Sequence, residues 1–321
     1  MPRGLSAMQT KLSPICSPTF SEEIAGLTDH TSMGTTSAEV ESGDPVSVDL
    51  NVDAALVLKD MVGIDAYPLV LAIMPNIYRI SDRDRVRAVV AEQLAADGII
   101  SGGEVDPVVA GWLRCLNRPD TELAIRVLDN GRGGETPTML RASLVRSGEQ
   151  HVLAVRCDDE IVIQPVFHQG RQLDTLTAVL GSILGDYPVL DFEPFTRADS
   201  DPADSEPPPE DADGVRAGLR ELGASPRTAN VLTRALGEIV RQTEVLMMEH
   251  RDGGPETPDF TICMNVLDTF SGRFVITPSV TLDGRTRSTF RPGDHTALRS
   301  GINTLAELLP GRSWFDTART G

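Results

Sequence analysis

From Val46 the chain alternates apolar and polar residues, with Val46, Val48, Leu50 and Val52 set against Ser47, Asp49 and Asn51. Side chains along a strand point to opposite faces in turn, so this period of two predicts a half-buried strand. Asp53 to Val62 then predicts a short helix that Gly63 ends. Ser81-Asp82-Arg83-Asp84 resembles a capping box, after which Val86, Val89, Val90 and Leu94 form a helical stripe that stops at Gly98. Asp106-Pro107 supplies an N-cap and a first-turn proline for a helix through Leu116. Four turn-linked apolar runs follow, at 121–128, 139–146, 150–157 and 160–166. Short runs joined in this way are expected to pair antiparallel. A helix at 172–184 completes the series.

The same order then returns. Helices are predicted at 213–222 and 226–240, strands at 243–249, 259–267, 273–280 and 285–290, and a helix at 294–309, with Trp314 and Phe315 beyond it. Individual landmarks recur as well. Thr121-Glu122-Leu123 is matched by Thr243-Glu244-Val245, Glu135-Thr136-Pro137 by Glu256-Thr257-Pro258, and Ser147-Gly148 by Ser271-Gly272. The helix start at Asp174 is matched by the one at Asp294. Each offset is about 120 residues, too long for a solenoid period, so two pseudo-twofold-related halves sharing one sheet are expected. The fold class is therefore α+β, a central antiparallel sheet with helices packed on it. The expected division is a disordered N-terminal tail (1–45), a first half (46–195), an acidic Pro-rich linker (196–214), a second half (215–316) and a short tail (317–321).

Charge changes the picture only once it is located. The net −18 includes six acids against Arg3 and Lys11 in residues 1–46, and seven acids with no base in 199–213. The remainder is only mildly acidic and carries no basic stripe, which excludes nucleic acid as a partner. No apolar run is long enough for a membrane span, and no apolar leader follows Arg3, so a cytoplasmic protein is expected. Cys16, Cys115, Cys157 and Cys263 are scattered without paired spacing, the usage of a reducing compartment.

Candidate chemistry is sparse. His151 and Cys157 share a strand face but stand roughly 20 Å apart at ~3.3 Å per residue, too far for a nucleophile–base pair. Asp158-Asp159-Glu160 reads as a polar hairpin turn rather than a metal site. His168, His250 and His295 lack ligand spacing, so no metal is expected. Gly131-Arg132-Gly133-Gly134 lacks the Gly-Lys-Ser/Thr ending of a phosphate loop and precedes a strand, so it reads as a hairpin tip. Neither a cofactor nor a catalytic residue is expected. Val245-Leu246-Met247-Met248 is apolar on both faces of a strand, which means either a covered central strand or an adaptable face that docks a partner.

Several segments carry a family resemblance. They are Met74-Pro75-Asn76-Ile77, Pro107-Val108-Val109-Ala110 before Trp112, Arg118-Pro119-Asp120 and Arg146-Ser147-Gly148-Glu149-Gln150-His151. In the second half they are Val266-Leu267-Asp268, Ser271-Gly272-Arg273, Asp283-Gly284, Ser288-Thr289-Phe290-Arg291-Pro292-Gly293 and Leu308-Leu309-Pro310 before Trp314. In order and spacing the chain resembles the EspG family, the cytosolic chaperones of mycobacterial type VII (ESX) secretion. The first-half pattern looks closest to the branch linked with the virulence-associated ESX system. The resemblance implies a central antiparallel sheet with two helical bundles, and a non-catalytic role: binding the helical tip of a PPE protein in a PE–PPE heterodimer. It implies contact through the sheet, the second helical bundle and the loop that maps to Asp129–Thr138. Candidate partner-binding residues are Arg132 and Glu135 in that loop, with Leu246 and Met248 on the strand. A monomer or weak homodimer is expected. The rival readings are a structural homodimer joined through an edge strand, and an enzyme with a site between the halves.

Overall fold

A computed structural model describes residues 45–75, 79–131, 136–168, 170–198, 211–251, 262–280 and 286–318. The expected N-terminal tail, most of the acidic linker, and Arg132 and Glu135 lie outside the described residues. Strand β1 (Val48–Asn51) leads into helices α1 (Val52–Val62) and α2 (Ile80–Ala96), the hairpin β2 (Ile100–Ser101) and β3 (Glu104–Val105), and α3 (Pro107–Asn117). Four strands follow, β4 (Thr121–Asp129), β5 (Thr138–Ser147), β6 (Gln150–Cys157) and β7 (Glu160–Pro165), then α4 (Asp174–Leu184) and β8 (Phe195–Ala198). The second series is α5 (Ala212–Glu221), α6 (Pro226–Leu236), β9 (Ile239–Glu249), β10 (Met264–Thr269), β11 (Gly272–Val280), β12 (Thr286–Pro292) and α7 (His295–Leu308).

The two meanders meet in a single ten-stranded sheet of order β1-β7-β6-β5-β4-β9-β10-β11-β12-β8, antiparallel throughout its ladders. At the centre β4 pairs with β9, Thr121 facing Glu249 and Asp129 facing Arg241. The repeat that equates Thr121 with Thr243 also equates Ala124 with Leu246, and these two face each other across the ladder. The pseudo-twofold axis therefore crosses the sheet at that pair.

Alternation along the strands sends side chains to two different cores. On one face Leu123, Ile125, Val127, Val245 and Val266 pack under α4 and α7. On the other face Val145, Val152, Ala154, Ile161 and Ile163 pack under α1 and α3, while Leu267, Phe274 and Phe290 pack with α5 and α6. Burying each large apolar side chain stabilises the fold by about 1.5–3 kcal/mol. The Asp106 start and the Gly63 stop follow the predicted chemistry, and other helix starts carry side-chain caps of the same kind. Asn51 Oδ1 accepts from the Ala54 N–H at 2.7 Å, Asp106 accepts from Val108 and Val109, and Asp294 caps α7 through Ala297. Gly63 ends α1 at φ 73°, in the left-handed region that glycine enters without a Cβ clash.

Some expectations are corrected. α2 begins at Ile80, ahead of Ser81, with Arg79 at the N-cap and no side-chain cap bond, so the capping box does not form. Val46 is exposed outside β1, and Val52 starts α1 instead of ending the strand. The helix predicted to reach residue 240 stops at Leu236, because β9 extends back to Ile239 to pair with β10 and Arg241 faces Asp129 of β4. Residues 196–198, read as linker, complete β8, which pairs with β12 and stacks Phe195 on Phe290 at 4.7 Å.

After its last helix each half crosses to the other and is held there by a buried arginine. At the end of α4, Leu184 O accepts from Arg273 at 3.1 Å and from Arg241 at 2.5 Å, and Gly185 O accepts from Arg273 at 3.0 Å. Asp268, itself buried, binds both arginines. Beyond α7, Trp314 O accepts from Arg146 Nε at 2.7 Å and Thr317 O from Arg146 Nη2, while Asp120 pairs with the same guanidinium at 3.2 Å.

Trp314 also donates its indole N–H to His151 Nε2 at 3.1 Å. This bond requires a neutral imidazole, and burial holds His151 down at about 4. The unfolded chain therefore takes up a proton near pH 6.5 that the folded chain refuses until about pH 4. The contribution is fully present above pH 6.5 and is lost as pH falls toward 4, an effect of about 3 kcal/mol. Denaturation midpoints should drop as the pH is lowered from 6.5 to 4 in the wild type, and the His151→Gln variant should show a shallower slope.

Candidate functional site

Each half lays its helices over its own outer strands, and among the described residues this leaves the middle of one face without a covering helix. The floor there is read directly from the register. Glu122 faces Met248, Ala124 faces Leu246, and Arg126 faces Glu244. On the far side of β4, Val145, Ser143 and Arg141 of β5 continue the same three rows. Residues 66–72 form a wall over β4 and β5, with Leu69–Leu71 in a single 3₁₀ turn and Leu69 78% exposed at its crest. The resulting groove encloses about 590 Å³ and is lined mainly by apolar side chains, among them Tyr67, Leu69, Pro119, Ala124, Leu246 and Met248.

Polar groups divide the floor into two ends. At one, Glu122 is buried, accepting from Ser143 Oγ at 2.8 Å and lying 3.0 Å from His250 Nε2. At the other, Arg126 Nε donates to Glu244 Oε2 at 2.9 Å. Glu122 and Glu244 are repeat equivalents, so each half supplies the same acid and the fold gives each a different basic partner. The charged end continues as a row, Arg126 facing Arg141 and Arg141 facing Arg156 on successive strands. Arg156 holds the wall in place, donating to Leu71 O at 2.9 Å and to Ala72 O.

Two of the four sequence-predicted residues, Leu246 and Met248, are brought together on this floor, half-buried, whereas Val245 and Met247 turn into the opposite core. The run is therefore not covered on both sides among the described residues: one face is packed and the other lines the groove. Arg132 and Glu135 lie outside the described residues, but their loop leaves β4 at Asp129 and re-enters β5 at Thr138, a facing pair at the arginine end. The arginine row itself escaped the sequence reading. Its signal is that Arg126, Arg141 and Arg156 recur every fifteen residues across two hairpins, which means something only once the turn lengths fix the register. His151 and Cys157 occupy opposite ends of β6, and Asp158, at φ 51°, turns the β6–β7 hairpin.

The family model described as the EspG family matches residues 51–304. The chain belongs to the EspG family. Curated relatives include the ESX-1 secretion-associated protein EspG1 of Mycobacterium marinum, 32% identical over 86% of this chain and 93% of that protein. EspG1 of Mycobacterium tuberculosis is 30% identical over 84% and 90%. The ESX-3 secretion-associated protein EspG3 of Mycolicibacterium smegmatis is 29% identical over 84% and 90%. Among solved structures, the Mycobacterium tuberculosis type VII secretion system chaperone EspG5, in complex with a PE25–PPE41 dimer, has a TM-score of 0.65 at 18% identity. The match covers 85% of this chain and all of that one, and it shows that the two EspG chains share this fold.

Proposed function

We propose that this EspG-family protein is a type VII secretion-associated chaperone that binds the helical tip of the PPE subunit in a PE–PPE heterodimer. By covering an apolar tip it keeps the pair soluble and directs it to its ESX system. The observation that carries this reading is the open apolar groove at the pseudo-twofold axis, in a fold shared with a chaperone whose structure holds a PE–PPE dimer. A concave apolar floor with a few placed polar groups is what an amphipathic helical tip requires.

Two further features support binding over the rival readings. Both sheet edges, β1 and β8, are only four residues long, and acidic residues follow β8, a pattern that discourages edge-to-edge pairing. The buried His151 is committed to Trp314, which supports a role without catalysis. A cytoplasmic location fits a chaperone that meets its cargo before export. Among the described residues no helix is long and apolar enough to cross a membrane.

The test is a pull-down with tagged protein from the native cytosol, read by mass spectrometry, followed by reconstitution with the purified pair. One PE–PPE pair recovered and bound in purified form is the expected result. Recovery of no PE or PPE protein would overturn the chaperone reading.

A further inference from the structure

The arginine row is expensive to keep. Like charges directly opposite on neighbouring strands repel, and here the opposition occurs twice in succession. The outer members have their charges engaged. Arg126 is paired with Glu244, and Arg156 donates to the carbonyls of Leu71, Ala72 and Asp158. Arg141, between them, makes no ion pair or hydrogen bond with another described residue. Its surroundings are Arg126 and Arg156 on either side, with Asp158 and Cys157 contributing from the β6–β7 turn. Burial, then Arg156 and Arg126, push its guanidinium below the usual range, so the folded chain holds this cation at a cost. A half-buried arginine flanked by arginines on the floor of a groove is suited to receive an anion that arrives with a ligand.

We propose that Arg141 is the specificity anchor of the groove, receiving a carboxylate from the docked helical tip while Leu246 and Met248 take its apolar side chains. The inference rests on the reading of the groove as the PE–PPE docking surface, and it adds the chemistry the partner must carry. That chemistry is an apolar tip with an acidic side chain placed toward the Arg126–Arg141 end, roughly 12 Å from the Leu246 contact at ~4.8 Å per strand and ~3.3 Å per residue. Arg126 and Arg141 together face one groove carboxylate, Glu244, leaving that end cationic. A guanidinium fork suits a carboxylate in two-point geometry and rejects a tip that brings a base instead.

The experiment compares wild type, Arg141→Met, Arg141→Lys and Leu246→Asp in two measurements. One is the denaturation midpoint, and the other is affinity for the purified PE–PPE heterodimer that the wild type recovers. Arg141→Met removes the repulsion and should keep or raise the midpoint, while weakening the pair at least about tenfold and flattening the salt dependence of binding. Arg141→Lys, which keeps the charge but loses the two-point geometry, should fall between the wild type and Arg141→Met in affinity. A merely structural arginine would move both readouts down together, and that result overturns the proposal. Unchanged affinity in Arg141→Met, with binding lost in Leu246→Asp, overturns the anchor and leaves the docking groove standing. If the wild type binds no PE–PPE pair, the proposal falls with the reading beneath it.

Discussion

Asp268→Ala should be the most destabilising single substitution on the sheet, lowering stability by about 3–5 kcal/mol. Asp268 is 1% exposed and is the shared counter-ion of Arg273, through Nε at 2.6 Å and Nη2 at 3.1 Å, and of Arg241, through Nε at 2.8 Å. Removing it leaves the Arg273 guanidinium buried, supported among the described residues by the carbonyls of Leu184 and Gly185 and the Tyr187 ring. Arg241 is less buried and can rehydrate. The strap beyond α4 is held by the same two arginines, so its hold on the second half loosens as well. Chemical denaturation of the full chain measures the effect, and a shift under about 1 kcal/mol would mean that water enters the site and replaces the carboxylate. Changing all three partners together to apolar residues of similar size should cost far less than Asp268→Ala, because no charge is then left buried alone.

The second large effect is on binding. Leu246→Asp with Met248→Asp should weaken the purified PE–PPE pair by about 2–4 kcal/mol, roughly 30- to 1,000-fold in Kd. Both side chains lie half-buried on the groove floor, where water can still reach a carboxylate in the free protein. The folded state therefore tolerates the change, and the cost appears when a docked apolar tip strips that water away. Titration calorimetry beside a melting curve separates the two: a lost affinity with a near-native midpoint locates the binding face here. Equal affinity in both proteins would keep the chaperone function and move its site to another surface.

The sequence by itself determined most of the element types, the Asp106 cap and the Gly63 stop, the repeat and, through family-bearing segments in both halves, membership of the EspG family. Those signals are local. Alternation, an Asp-Pro start or a capping Asp294 acts within one turn or one strand, so the chain carries it openly. The sequence also marked Leu246 and Met248, because a strand apolar on both faces is visible as a run of letters.

Tertiary structure alone decided which of those faces stays open. That depended on each half placing its helices over its own outer strands, so that among the described residues no helix covers this face of β4 and β9. It also extended β9 back to Ile239 and recruited Phe195–Ala198 as an edge strand, because ladder bonds to a waiting partner outweigh weak local preference. The crossed straps and the row Arg126–Arg141–Arg156 are of the same kind. Their meaning lies in the register between strands, which follows from turn lengths and from which residues both cores must bury.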